Sequence, residues 1–333
     1  MSRCPVTLAA LLPLLLATPL ALAPVAAHAE DPNAVPPGEI YEDPDGLFDE
    51  QGMAITDQDV EDYPSHATEE FAVALIRNKE PRLDGHSTEE VWEAVPPRDI
   101  ALHKVSDPSG APVATLRFRA FHNGHQLYVC VDWNDATYDD SDGAWMWNGT
   151  KSKYTVSKER EDSFTLLFKT YGDFWGDRLK GVGFVADEWR WGASLTNMSG
   201  YAEDGWRFVL RNQDNSLRQI RLTGEDGRPT YMSQEQDFGK LCYHAIPAPK
   251  GFEGDMRPAT EPREPSGSAS DVRARGAFTM GQGWTIEMLR QLNTGADDDL
   301  AFSSNKPIDF SVTVADGAGE TLTSDVYSLR LLD

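Results

Sequence analysis

Beyond residue 71 the dominant spacing of hydrophobic positions is two. Leu116, Phe118 and Ala120 alternate with Arg117 and Arg119, and Leu127, Val129 and Val131 alternate again after Asn123-Gly124. Side chains two apart on a strand share a face, and Asn-Gly is a tight-turn pair, so this stretch predicts a hairpin with one buried face. The clearest strand comes late: Ile308, Phe310, Val312 and Val314 point one way, while Asp309, Ser311 and Thr313 point the other. Trp284, Ile286 and Met288 repeat the pattern. Further strands are predicted at 71–76, 164–168, 206–210, 217–222 and 327–331. A helical turn or two is predicted only over 87–92, where Ser87-Thr88-Glu89-Glu90 has the form of a capping box. Many short strands separated by Gly, Asn and Asp predict an all-β fold, an antiparallel β-sandwich with long loops and a few short helices.

The first 29 residues follow a different pattern. Arg3 precedes an apolar run from Leu8 to Ala23, and Ala27-His28-Ala29 stands just before Glu30. Charged start, apolar middle and small-residue cleavage site define a signal peptide, so the mature protein is expected to be periplasmic or secreted. Pro5, Pro13, Pro19 and Pro24 interrupt the run and argue against a permanent membrane anchor. No later stretch reaches the ~18 to 20 consecutive apolar residues of a membrane span. Residues 30–70 carry many acids, no Lys or Arg, and several prolines, a composition that predicts a disordered acidic arm. Residues 71–333 form the expected folded domain. Within it the Pro- and Ser-rich stretch 247–276 reads as a surface loop, because a boundary there would leave too short a remainder for its own core.

Charge narrows the partners. The formal net charge of −24 becomes −25 once Arg3 leaves with the signal, which repels nucleic acid and anionic lipid. Cys4 leaves too, so Cys130 and Cys242 remain, compatible either with a disulfide in an oxidising compartment or with two buried thiols. The absence of Cys-x-x-Cys-His excludes covalent c-type haem attachment. There is no Gly-x-Ser-x-Gly, His-Glu-x-x-His or phosphate loop, and the chain reads as a non-enzyme.

Four stretches taken in order resemble the haem-binding domain of the γ subunits of ethylbenzene and dimethylsulfide dehydrogenases. They are Leu83-Asp84-Gly85 with Val91-Trp92; the run Gln126 to Thr137 containing Trp133, Asp135 and Thr137; Asp187-Glu188-Trp189-Arg190-Trp191 followed by Gly200-Tyr201-Ala202-Glu203-Asp204; and Gly283-Trp284 through Glu287, then Arg290, Leu292, Thr294-Gly295 and Asp297-Asp298-Asp299. The opening motif is shared with family-nine carbohydrate-binding modules, and the resemblance implies an immunoglobulin-like or carbohydrate-binding-module-like sandwich. It also implies noncovalent b-type haem, and electron transfer beside an exported redox enzyme or to a soluble cytochrome. The family holds iron through a Met shortly after the strand that here reads 162–168, and through a Lys or His just before the last strand. This sequence offers Asp173-Phe174-Trp175-Gly176-Asp177 and Thr321-Leu322-Thr323-Ser324 at those places, neither of which supplies a usual axial donor.

Replacement cofactor-binding residues are therefore sought elsewhere. Met146 and Met198 offer thioethers in loops, and Trp175, Trp189, Trp191 and Tyr201 offer flat faces that would stack on a porphyrin or on sugar rings. The alternative reading is a carbohydrate-binding or structural module on the same sandwich. His122 and His125 flank the hairpin turn, where solvated histidines are ordinary. Asp132, Asp135, Asp139, Asp140 and Asp142 beside Gly143 form an oxygen-rich run that makes Ca2+ a candidate ligand, although the spacing is not that of an EF-hand.

Overall fold

The computed structural model describes residues 63–304, 306–317 and 319–333; the signal peptide and most of the acidic arm lie outside them. Regular structure starts with β1 (Glu70–Leu75), then α1 (Glu90–Ala94), β2 (Arg98–Lys104), β3 (Ala114–His122) and β4 (Gln126–Trp133). β5 (Trp145–Asn148), β6 (Lys153–Val156), β7 (Ser163–Gly172), β8 (Gly183–Gly192), β9 (Glu203–Leu210), β10 (Ile220–Thr223) and β11 (Pro229–Gln236) follow. Five short strands come next: β12 (Gly239–Lys240), β13 (Tyr243–Ala245), β14 (Met256–Arg257), β15 (Thr260–Pro262) and β16 (Ser266–Gly267). The chain ends with β17 (Arg273–Thr279), β18 (Gly283–Gln291), β19 (Ile308–Ala315), β20 (Thr321–Ser324) and β21 (Tyr327–Leu331).

Among the described residues, fourteen strands hydrogen-bond into one sheet that folds over into two layers. The first layer runs β10-β11-β9-β8-β7-β19, and the second runs β2-β3-β4-β18-β17. Two short routes join them along one side. β20 pairs with both β19 and β2, while β21 pairs with β19 and with parallel β1, which continues onto β3. Between the layers lies one large apolar core, fed by Leu166 and Phe168, Trp189 and Trp191, Phe310 and Val312 from one side and by Phe118, Val131, Ile286 and Met288 from the other. The Phe118 and Phe310 rings meet across it at 5.2 Å between centroids.

The period-two pattern and the Asn-Gly turn account for the hairpin β3–β4. Asn123 N–H donates to the Gln126 carbonyl at 3.2 Å, and Gly124 takes φ +97°, a left-handed value that glycine adopts without strain. In β19 the alternation holds, but its polar side is also buried, under the loop that follows β7. The helix differs from expectation. It starts at Glu90 after an N-cap Glu89 that makes no side-chain cap, so the Ser87 capping box does not form. The helix is held instead by packing, since Val91 and Trp92 bury against Phe121, Tyr128 and Cys130 on the outer face of the second layer. The Pro- and Ser-rich stretch carries the short strands β14, β15 and β16, which pair with β5, β13 and β12 and are almost wholly at the surface.

Cys130 and Cys242 are free thiols, each buried in a different apolar cluster. Of the two readings left open by the sequence, the structure takes the buried-thiol one. Burial pushes both thiols up to about 12, which keeps them protonated and unreactive.

Candidate functional site

Three of the four sequence motifs, the first, third and fourth, meet in two places. Glu287 of β18 accepts hydrogen bonds from the Trp92 indole N–H at 2.7 Å and from the backbone N–H groups of Asp84 and Gly85 at 3.0 and 2.9 Å. The first and last motifs are thus a lock across more than two hundred residues. Gly85 has φ +79°, and a Cβ there would strike the backbone of Gly276 and Ala277, so glycine is required. Burial raises Glu287 to about 7 against the pull of these donors.

The third motif and the tail of the fourth meet around Arg290, which is fully buried between the layers. Its Nη1 donates to Asp187 of β8 at 2.7 Å and to Asp299 at 2.6 Å, and lies 3.8 Å from Asp204 of β9. The guanidinium also sits over the Trp189 and Phe302 rings, at 4.9 and 5.3 Å from their centroids. Asp237 closes the group, its N–H donating to the Asp204 carbonyl at 3.3 Å. Burial, then the mutual repulsion of these acids, lifts Asp204 well above the usual carboxylate range and Asp237 to about 9. Sequence reading found Asp187, Asp204, Arg290 and Asp299 as motif letters but assigned them no site. Asp237 belongs to no motif, and no local signal marks it.

The two segments where the family places its axial ligands are also brought together. Asp177 and Thr323 both touch the Thr313 hydroxyl, which donates to Asp177 and lies 3.4 Å from the Thr323 hydroxyl. Asp177 further accepts from Arg207 Nη1 at 2.6 Å, and Arg207 forks onto Glu188 at 2.7 and 2.8 Å. Gly176 has φ +56°, and a Cβ there would collide with Ser311. The place between the two segments is thus filled by a buried, mutually hydrogen-bonded polar network. The Met232 thioether touches this network but is taken up by Arg207 Nη1 at 3.7 Å, and neither of the two segments supplies a thioether, imidazole or amine, so these residues do not fit an axially held haem.

The six residues singled out for cofactor binding, two thioethers and four flat rings, do not converge. Trp189 and Trp191 share a face, as their spacing requires, but both are 0% exposed in the central core. Trp191 contacts Trp284 edge to face at 4.8 Å and donates from its indole to Asn197 at 3.1 Å. Met198, in the turn beside Asn197, is 74% exposed. Tyr201 packs against Leu241, Cys242 and Tyr243. Trp175 lies in the loop after β7, stacked on His66 at 3.7 Å with Lys180 Nζ 4.0 Å from its ring. Met146 sits in the small separate sheet β14-β5-β6, opposite Met256. His122 is buried and bonds the Leu332 carbonyl at 2.7 Å, a structural contact.

The acidic run also separates. Asp132 pairs with Arg117 at 2.5 Å and Asp142 with Arg160 at 3.4 Å, while the Asp135 carboxylate accepts from the Thr137 N–H at 3.0 Å. Asp139 meets two acids from outside the run, Asp162 and Asp316.

A family described as ethylbenzene dehydrogenase matches residues 89–325. No curated protein matches. Among solved structures, a Bacteroides uniformis protein described as carbohydrate-binding is similar with TM-score 0.40 and 7% identity, covering 79% of this chain and 99% of that one. A family-nine carbohydrate-binding module from Caldicellulosiruptor kristjanssonii, in complex with glucose, is similar with TM-score 0.36 and 10% identity, covering 79% and 96%.

Proposed function

The chain belongs to the ethylbenzene dehydrogenase family, and from that premise we propose that it is an exported, non-catalytic partner module of a redox assembly whose sandwich no longer grips haem through an axial pair. The observation behind this is the Asp177–Thr313–Thr323 contact, where a hydroxyl and buried ion pairs fill the place in which the family would hold iron. The stacking faces that a carbohydrate-binding reading would use at Trp189 and Trp191 are inside the core, so the module reading is favoured over it.

Titration of the purified mature chain with haem tests the proposal. The expected result is no saturable Soret shift. Stoichiometric binding with the sharp bands of six-coordinate haem would overturn it. Cross-linking in the native host tests the assembly half: recovery of an exported oxidoreductase subunit in near-equal amount is expected, and its absence counts against the partner role. Sequencing of the mature N-terminus checks export, with Glu30 expected first.

A further inference from the structure

We propose that Asp204, Asp237 and Asp299 form a calcium-binding site wedged between the two layers of the sandwich, independent of any haem chemistry. One carboxylate oxygen from each lies within 4.8 Å of the others. That is about twice a calcium–oxygen bond length, so a single ion between them reaches all three.

Acids in proximity are not in themselves a site; the state of their oxygens is the deciding observation. Asp204 is 2% exposed and Asp237 5% exposed, and both oxygens of each are buried without a hydrogen-bond partner. Asp299 Oδ2 and Asp187 Oδ1 are in the same condition. A buried carboxylate oxygen without a donor loses its hydration and gains nothing in return, a cost proteins normally avoid. Here five such oxygens belong to the three proposed ligands.

Charge points the same way. Asp187, Asp204, Asp237, Asp271, Asp298 and Asp299 act electrostatically on one another, and Arg290 is the cation they share. Arg290 spends its Nη1 on Asp187 Oδ2 and Asp299 Oδ1 and its Nη2 on the Leu300 carbonyl at 2.5 Å, while its Nε is buried and makes no hydrogen bond, to these acids or to anything else. None of its N–H groups hydrogen-bonds Asp204 or Asp237, and Nη1 stops 3.8 Å short of Asp204. A divalent cation would neutralise two further charges and give the orphaned oxygens a partner.

The donor set selects the metal class. All three ligands are carboxylates, with no thiolate or imidazole, which suits a hard cation. Calcium accepts irregular oxygen geometry and completes its shell with water, whereas magnesium demands near-octahedral placement.

Terbium is the probe, because it replaces calcium on oxygen ligands and its emission is excited by a nearby indole. Trp189 supplies one, stacked against the arginine that holds Asp299. In the mature chain stripped with chelator, saturable terbium emission displaced by calcium is expected. Asp237→Asn should weaken it tenfold or more, and Asp204→Asn likewise. Asp139→Asn, in the other acidic group, should leave it unchanged. Calcium should also raise the unfolding midpoint of the wild-type chain but not of Asp237→Asn. No saturable emission, or loss in Asp139→Asn with retention in Asp237→Asn, would overturn the proposal. Asp237→Asn keeps the test valid if Asp204→Asn fails to fold.

Discussion

Trp284 and Arg290 stand at the two ends of the same face of β18, about 20 Å apart along the strand, and each meets a cluster of carboxylates. At the Trp284 end, Asp162 is fully buried yet satisfied. One oxygen accepts from the Trp284 indole and the Asp139 N–H, each at 2.9 Å, and the other accepts from the Gly317 N–H at 2.9 Å. At the Arg290 end, Asp204 and Asp237 are also buried, and their carboxylates accept no hydrogen bond. Both groups are raised by burial, Asp162 to about 6 and Asp237 to about 9. The difference teaches that depth and acidity are poor guides to ligand binding; what separates a structural carboxylate from a candidate ligand is whether the fold has given its oxygens donors.

The comparison can be broken most forcefully at Arg290. Arg290→Met leaves Asp187 and Asp299 buried without their cation, and a loss of about 3–5 kcal/mol is expected in calcium-free chemical unfolding. A loss under 1 kcal/mol would mean that the acids around it are already neutral. Next comes Asp162→Asn, which presents an amide where three donors converge and should cost about 1–3 kcal/mol by the same measurement. Asp237→Asn is expected to act with the opposite sign, stabilising the calcium-free chain by about 1 kcal/mol through relief of repulsion. If both Asn variants destabilise equally, the distinction between the two ends fails.

Glu287, on the other face of β18 between the two ends, sharpens the comparison through pH. Its carboxyl is raised from 4.5 to about 7, so the folded state holds a proton that the unfolded chain releases. Its contribution is present below pH 4.5 and declines as pH rises through about 7. The midpoint difference between wild type and Glu287→Gln should therefore change across that window, with an effect on the order of 1 kcal/mol, and be flat outside it. The smallest expected effect is that of reductant. With Cys130 and Cys242 unpaired, reducing conditions should leave the unfolding midpoint unchanged, where a disulfide would have shifted it by several degrees.

Much of the fold was legible because it is written locally. The alternation in 116–131 and 308–314 became β3, β4 and β19, and the turn at Asn123-Gly124 joined the first pair as expected. The capping box failed because a five-residue helix is stabilised by what Trp92 packs against rather than by its ends. The site was less legible. Trp189 and Trp191 could be placed on one face from spacing, but which layer that face met was a tertiary matter, and it met the core.

By itself, the sequence determined the strand-rich class, the hairpin, the export signature, and the family likeness carried by four ordered motifs. It also determined that Met, His and Lys are missing from the two expected iron positions. Only the tertiary structure decided that those positions close on each other through Thr313, that the two cysteines stay apart, and that Asp237 joins Asp204 and Asp299. The reason is physical: periodicity and turn chemistry act between near neighbours in the chain. Burial, charge and unmet hydrogen-bonding capacity arise between residues that only layer packing brings together.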